Sequence, residues 1–140
     1  MRTADDDGAV ATSAETVLVV DDEVLVRMVI AAYLRDCGYR VIEAADAAEA
    51  MLALEQDEAG AVSVVLSAVA LSGEHDGFTL AQWIRRNRPG CEVMLAGTVA
   101  RAADAAGDLC EQGPTLARPY EPQTVLDRIR RLLARRPPRG

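Results

Sequence analysis

Asp21-Asp22-Glu23 sets three carboxylates in a row directly behind four aliphatic residues, Val17-Leu18-Val19-Val20. Adjacent carboxylates repel one another, and a pair held together at the end of a strand suits a hard cation bound through oxygen. The plainer role is that one of them caps a following helix. A cap accounts for Asp21 or Asp22 singly, but not for both together with Glu23. Ser67 offers a hydroxyl, yet no histidine or lysine base stands near it, so it is a poor nucleophile and hydrolase chemistry fails. Local hydrogen bonding suits Ser67 better. His75, the only histidine, falls in the polar loop Ser72-Gly73-Glu74-His75-Asp76-Gly77 and reads as a solvated residue rather than a ligand. All fifteen basic residues are arginine, which removes any Schiff-base mechanism or lysine acting as a tunable amine.

These groups need elements to position them. The continuous apolar run before Asp21 marks a strand buried on both faces. Val24 to Cys37 reads as an apolar helix closed by Gly38. Tyr39 to Ala44 is a strand, Ala47 to Asp57 a helix, and Val62 to Ser67 a strand closed by a serine. Phe78 to Asn87 is a helix with Phe78, Ala81 and Ile84 or Trp83 facing inward, ended by Arg88-Pro89-Gly90. Glu92 to Ala96 is the fourth strand, and Val99 to Gln112 an alanine-rich helix with a break expected near Gly107. Thr115 to Ala117 makes a short fifth strand, and Glu121 to Arg135 a last amphipathic helix. Five strands alternating with five helices predict an α/β domain: a doubly wound, five-stranded parallel sheet of flavodoxin-like type covered on both faces. Its ligand site should lie at the carboxyl ends of the strands.

The 140 residues suit one domain, expected over 16–135, between a disordered acidic segment (1–15) and a flexible basic tail (136–140) with no second domain behind it. Half of the residues are hydrophobic but only 4% aromatic, so the core is aliphatic. No apolar run is long enough to span a bilayer and the start does not resemble a secretory signal, so a cytoplasmic protein is expected. A net charge of −7 argues against nucleic acid as the main partner. Cys37, Cys91 and Cys110 are odd in number and far apart, and are expected to be free thiols rather than a disulfide or a zinc site.

Val17-Leu18-Val19-Val20-Asp21-Asp22-Glu23 resembles the opening of a bacterial response-regulator receiver domain, and Leu116-Ala117-Arg118-Pro119-Tyr120 is similar to that family's Lys-Pro-aromatic close. The resemblance covers residues 16–135. It implies that the acidic pair and a third aspartate, at the end of the third strand, hold magnesium. That aspartate accepts a phosphoryl group, while a hydroxyl residue after the fourth strand and a lysine after the fifth bind the phosphoryl oxygens.

Four positions depart from that pattern. The spacing to Leu71, three residues on, and to Gly77, nine residues on, lays the acceptor on Ala68, which has no nucleophile. Gly97 stands at the hydroxyl position, with Thr98 one place late; a slip of one residue would recover it. Arg118 replaces the lysine, and Thr115 the switching aromatic. Pro119 is the candidate for a cis peptide. The resemblance thus implies a response regulator of two-component signalling that is not an enzyme, with magnesium binding at Asp21 and Asp22 weakened. Its action is by contact with a histidine kinase or other signalling protein. A conventional phosphoaccepting receiver carrying an Asp-to-Ala substitution is the alternative. A nucleotide- or flavin-binding protein needs a glycine-rich loop where Asp21-Asp22-Glu23 stands. Without a carboxylate at 68, Arg118 is expected to pair with Asp21 or Asp22 constitutively. The arginine-rich stretch from Arg128 to Arg139 opposes the acidic helix before it, which suits a homodimer through the 99–135 face. No membrane partner is expected.

Overall fold

A computed structural model describes residues 15–112 together with Asp127 and Arg131, both helical. In chain order the elements are β1 (Thr16–Val20), α1 (Val24–Asp36), β2 (Arg40–Ala44), α2 (Ala47–Gln56), β3 (Val62–Ala68), α3 (Gly77–Asn87), β4 (Glu92–Ala96) and α4 (Val99–Gln112). The described residues therefore hold four strands and four helices. The fifth strand expected at Thr115 to Ala117, most of the helix expected at 121–135, and the roles expected of Thr115, Arg118 and Pro119 lie outside them, as do residues 1–14.

All strand pairings are parallel, in the order β2-β1-β3-β4. The chain steps from β1 to one side and then returns across it to the other, so the order reverses between β1 and β3. At that reversal the two following connections leave in opposite directions and open a crevice at the strands' carboxyl ends. Alternation along each strand fills both faces. Val17 and Val19 pack with Ile30, Leu34, Ala103 and Ala106 under α1 and α4. Leu18 and Val20 pack with Ala50, Leu54, Leu80 and Ile84 under α2 and α3. An unbroken apolar run is the consequence of burial on both sides.

Local chemistry explains most boundaries. Gly38, at φ 102°, takes the left-handed conformation that ends α1. Asp46 caps α2 by accepting the Glu49 N–H, while Glu49 reaches back to the Ala45 N–H. Asp76 caps α3 through the Thr79 N–H. Glu15, just ahead of β1, already ties to both neighbouring strands, accepting the Arg40 N–H and the Ser63 hydroxyl.

Three expectations are corrected. Phe78 does not face inward; it is 56% exposed, because the buried stripe of α3 runs through Gly77, Leu80, Ala81 and Ile84. Gly107 does not break α4, which is continuous, with Gly107 buried against its neighbours. Cys37 and Cys110 are not free thiols but a disulfide, with Cα atoms 5.5 Å apart, leaving Cys91 as the free cysteine. Distance along the chain misled here: the ends of α1 and α4 meet on one face of the sheet.

At the opposite end of the sheet from the crevice, Asp57 ties three elements together. Its carboxylate accepts the Ala61 and Val62 N–H groups at 2.9 Å each and the Arg88 guanidinium at 3.0 Å. Arg88 also donates to the Leu54 carbonyl at the end of α2. Burial alone would push the Asp57 carboxyl up, but the two amides and the guanidinium outweigh it and hold it below the ordinary 3.8. A folded value below the unfolded one stabilises the fold above the unfolded value and loses that contribution as pH falls through the folded one. Asp57→Asn is expected to lower unfolding free energy at neutral pH by about 2 kcal/mol. The gap to the parent should close as pH drops below about 4, checked by urea unfolding across pH.

Candidate functional site

The registers put the candidate residues at one height. Val20 pairs with Ser67 and Ala68 with Ala96, so Asp21, Ala68 and Gly97 emerge side by side where β1, β3 and β4 end. They border a cavity of about 180 Å³ lined by Asp21, Asp22, Glu23, Ala68, Val69, Gly97 and Thr98 among others.

On the first lip, the capping role considered for the acidic residues is not what they do. Glu23 is the N-cap of α1 and its side chain makes no capping bond. Asp21 Oδ1 accepts the Glu23 N–H at 2.9 Å, and Asp22 Oδ2 accepts the Ser72 N–H at 3.0 Å. The second bond joins the loop after β1 to the loop after β3 across the crevice. Arg27 steadies the same loop from α1, donating to the Asp21 carbonyl at 2.8 Å and to Glu43 at 3.2 Å. Burial pushes the Asp21 carboxyl above its usual value. The Glu23 N–H opposes this, the Asp22 and Glu23 charges add to it, and Arg27 opposes it again.

On the second lip, β3 runs one residue beyond the serine expected to close it, and Ala68 is its last residue. Ser67 is fully buried and its hydroxyl donates to the Ala68 carbonyl at 2.8 Å, the local bond expected of it. The backbone just past Ala68 is pinned from two sides: Val69 donates to the Ala96 carbonyl at 3.1 Å and accepts the Gly77 N–H at 2.7 Å. Gly77 lies so close that a methyl group there would meet the Ala68 oxygen at 2.3 Å. An aspartate followed by glycine at a helix start was the available signal for this approach.

On the third lip, Thr98 is the residue from which α4 starts. Its Oγ1 accepts the Arg101 N–H at 3.1 Å and its carbonyl the Ala102 N–H at 3.0 Å. The hydroxyl oxygen thus caps α4 at the border of the cavity, one place after Gly97. At Gly97 an added Cβ would find only Val69 Cγ2, at 4.0 Å. A hydroxyl side chain would fit there.

His75 lies away from this cavity, in a groove it shares with Asp46, Met51, Leu52 and Glu55. Arginines 128–139, Arg131 excepted, lie outside the described residues, as does the pairing expected of Arg118.

Magnesium demands near-octahedral oxygen geometry, usually from carboxylates and phosphate oxygens. Here one oxygen of Asp21 and one of Asp22 are each taken by a backbone N–H. Ala68 supplies a methyl from the facing strand, and no three acidic, histidine or cysteine side chains converge among the described residues. The described residues thus offer a cation two carboxylates, each with one oxygen already holding a backbone N–H, and no third carboxylate from β3.

A family model for the response regulator receiver domain matches residues 17–130. The transcriptional regulatory protein GltR of Pseudomonas aeruginosa is 31% identical over 128 residues, covering 89% of this chain and 51% of GltR. The sensor kinase CckA of Brucella abortus is 36% identical over 94 residues, which are 67% of this chain and 10% of the kinase. A solved structure of a putative response regulator from Chloroflexus aurantiacus has a TM-score of 0.56 and 30% identity, covering 88% of this chain and 100% of that one. The chemotaxis response regulator CheY4 of Vibrio cholerae has a TM-score of 0.56 at 24% identity, covering 86% and 99%, a likeness of fold. The chain spans about half the length of the transcriptional regulators it matches. Among the described residues, no helix is long and apolar enough to cross a membrane.

Proposed function

Because the chain belongs to the response-regulator receiver family, we propose that it serves two-component signalling as a receiver that forms no acyl phosphate at position 68 and acts through protein contacts. A histidine kinase, or another signalling protein in the cytoplasm, is the partner this reading gives it. The observation that supports it best is the methyl group of Ala68 facing the Asp21–Asp22 loop at the reversal of strand order. An acyl phosphate needs a carboxylate oxygen to attack phosphorus, and a methyl group has none. Gly97 adds support. Electrostatic and hydrogen-bonding groups do most of the work in phosphoryl transfer, and glycine offers no side-chain donor to a phosphoryl oxygen. Magnesium binding at Asp21 and Asp22 is weakened in the same reading, because the carboxylate that would complete the set is missing.

The test is incubation of the parent chain, Ala68→Asp and Ala68→Asp/Gly97→Thr with acetyl phosphate and magnesium, followed by intact-mass measurement. The parent should gain no phosphoryl group; a phosphoaspartate on it would overturn the reading. Efficient labelling of Ala68→Asp alone would favour the alternative, a conventional receiver site lacking only its acceptor. Labelling that needs Gly97→Thr as well would mean that more than one part of the site has been given up.

A further inference from the structure

Cys37 is the C-cap of α1 and Cys110 lies in the last turn of α4. Their disulfide bridges a sequence separation of 73 residues, and both sulfur-bearing residues are buried, at 3% and 9% exposure. It fastens the far end of the helix whose near end, at Thr98, borders the candidate site. Among the described residues little else holds that far end. The face of α4 turned to the core is built largely of small residues, Ala102, Ala103, Ala106 and Gly107, with Leu109 the one large side chain. Small side chains bury little apolar area each, so the noncovalent attachment that these residues provide is thin. One polar bond adds to it: the Tyr39 hydroxyl donates to the Leu109 carbonyl at 2.6 Å in a buried setting.

We propose that Cys37 and Cys110 form a reversible thiol–disulfide switch that sets how firmly α4 is fixed to α1, so that redox state changes the α4 surface offered to partners. The co-reactant is a low-molecular-weight disulfide. Cys110, the more exposed of the two, loses its proton to solvent. Its thiolate attacks one sulfur of that disulfide, breaking the small molecule's S–S bond and releasing one thiolate, which takes up a proton. Cys37, deprotonated in turn, attacks the Cys110 sulfur of the mixed disulfide and expels the second small thiol. Two protein thiols are oxidised and one small disulfide is reduced to two thiols. Excess small thiol drives the reverse sequence. Both steps need a local opening at the end of α4, since neither cysteine is open to solvent.

A disulfide inside a reducing compartment is commonly a transient, regulatory one. The proposal rests on the signalling reading only for that cytoplasmic placement, and its test uses no phosphodonor, so the two can fail separately. Cys91, at the start of β4 and half-buried, has no partner sulfur and serves as an internal reference.

The experiment equilibrates the full chain, without denaturant, in graded ratios of oxidised to reduced glutathione, followed by acid quench, alkylation and peptide mass analysis. Cys37 and Cys110 should lose alkylation together and regain it on return to reduced glutathione, while Cys91 stays reactive toward the alkylating reagent. Amide exchange across residues 103–110 should be about tenfold slower in the oxidised chain than in the reduced one. Cys37→Ser, or Cys37→Ala/Cys110→Ala should the serine not fold, should abolish that difference. The proposal is overturned if the bond opens or closes only in denaturant, if both thiols stay reactive at every ratio, or if exchange over 103–110 is the same in both states.

Discussion

Gly77→Ala should destabilise the protein by about 3 kcal/mol or more, enough to lower the melting temperature by roughly 10 °C. The sign is not that of an ordinary helix substitution, where alanine in place of glycine gains up to about 1 kcal/mol. An alanine Cβ here would lie 2.3 Å from the Ala68 carbonyl oxygen, 3.0 Å from Val69 Cα and 3.1 Å from the Val69 oxygen. All three are backbone atoms, which cannot rotate aside. Relief needs α3 to retreat, breaking the Gly77-to-Val69 hydrogen bond and lifting the fully buried Leu80 and Ile84 from the sheet. The other escape is a shift of the end of β3, which breaks the Val69-to-Ala96 bond and displaces Ala68 itself. Thermal and urea unfolding give the measurement, with Gly90→Ala as the comparison. A methyl group at Gly90 would meet nothing within 4 Å, and its change should stay within about 0.5 kcal/mol. A Gly77→Ala protein as stable as the parent would mean that α3 and β3 do not approach as described.

Reducing the Cys37–Cys110 bond should cost about 4 kcal/mol, a fall of roughly 15 °C in melting temperature. The effect lies mainly in the unfolded chain: a link across a separation of 73 residues removes conformations that the reduced chain regains on unfolding. Thermal unfolding of the parent with and without dithiothreitol should show the drop. Cys37→Ala/Cys110→Ala should melt near the reduced parent and be indifferent to the reagent. A parent unmoved by dithiothreitol, under conditions where alkylation shows the thiols free, would contradict the expectation.

The parts of the fold legible in the sequence were those governed by near neighbours in the chain. Val17 to Val20 announced a doubly covered strand because both faces of the sheet bury it. Gly38 announced a helix end because few other residues tolerate its backbone angle. The site was legible only to the extent that it lies at strand ends: Asp21, Ala68 and Gly97 could be placed along the chain, and parallel pairing in register brings them together. Sequence reasoning went astray where a residue's role depends on a distant partner. Hydrophobicity alone turned Phe78 inward, whereas the stripe through Leu80, Ala81 and Ile84 sets which side of α3 meets the sheet. Cys37 and Cys110 are neighbours only because α1 and α4 share a face. Asp22 looked like a ligand or a cap, and one of its oxygens bonds Ser72, fifty residues on. No local pattern encodes that contact.

The hydroxyl of Thr98 carries a thermodynamic consequence of its own. A hydroxyl oxygen that already accepts the Arg101 N–H at the start of α4 keeps its own O–H and a second lone pair for another partner. A ligand oxygen entering the cavity can take that O–H while the cap stays in place, whereas a ligand that pulls the side chain off the Arg101 N–H costs near 1 kcal/mol for the lost cap. By linkage the second case runs both ways: whatever strengthens the first turn of α4 weakens a ligand of that kind, and whatever frays that turn favours it, each by the same factor. A ligand that accepts the O–H is therefore compatible with the helix start, and only one that displaces the cap is negatively coupled to it.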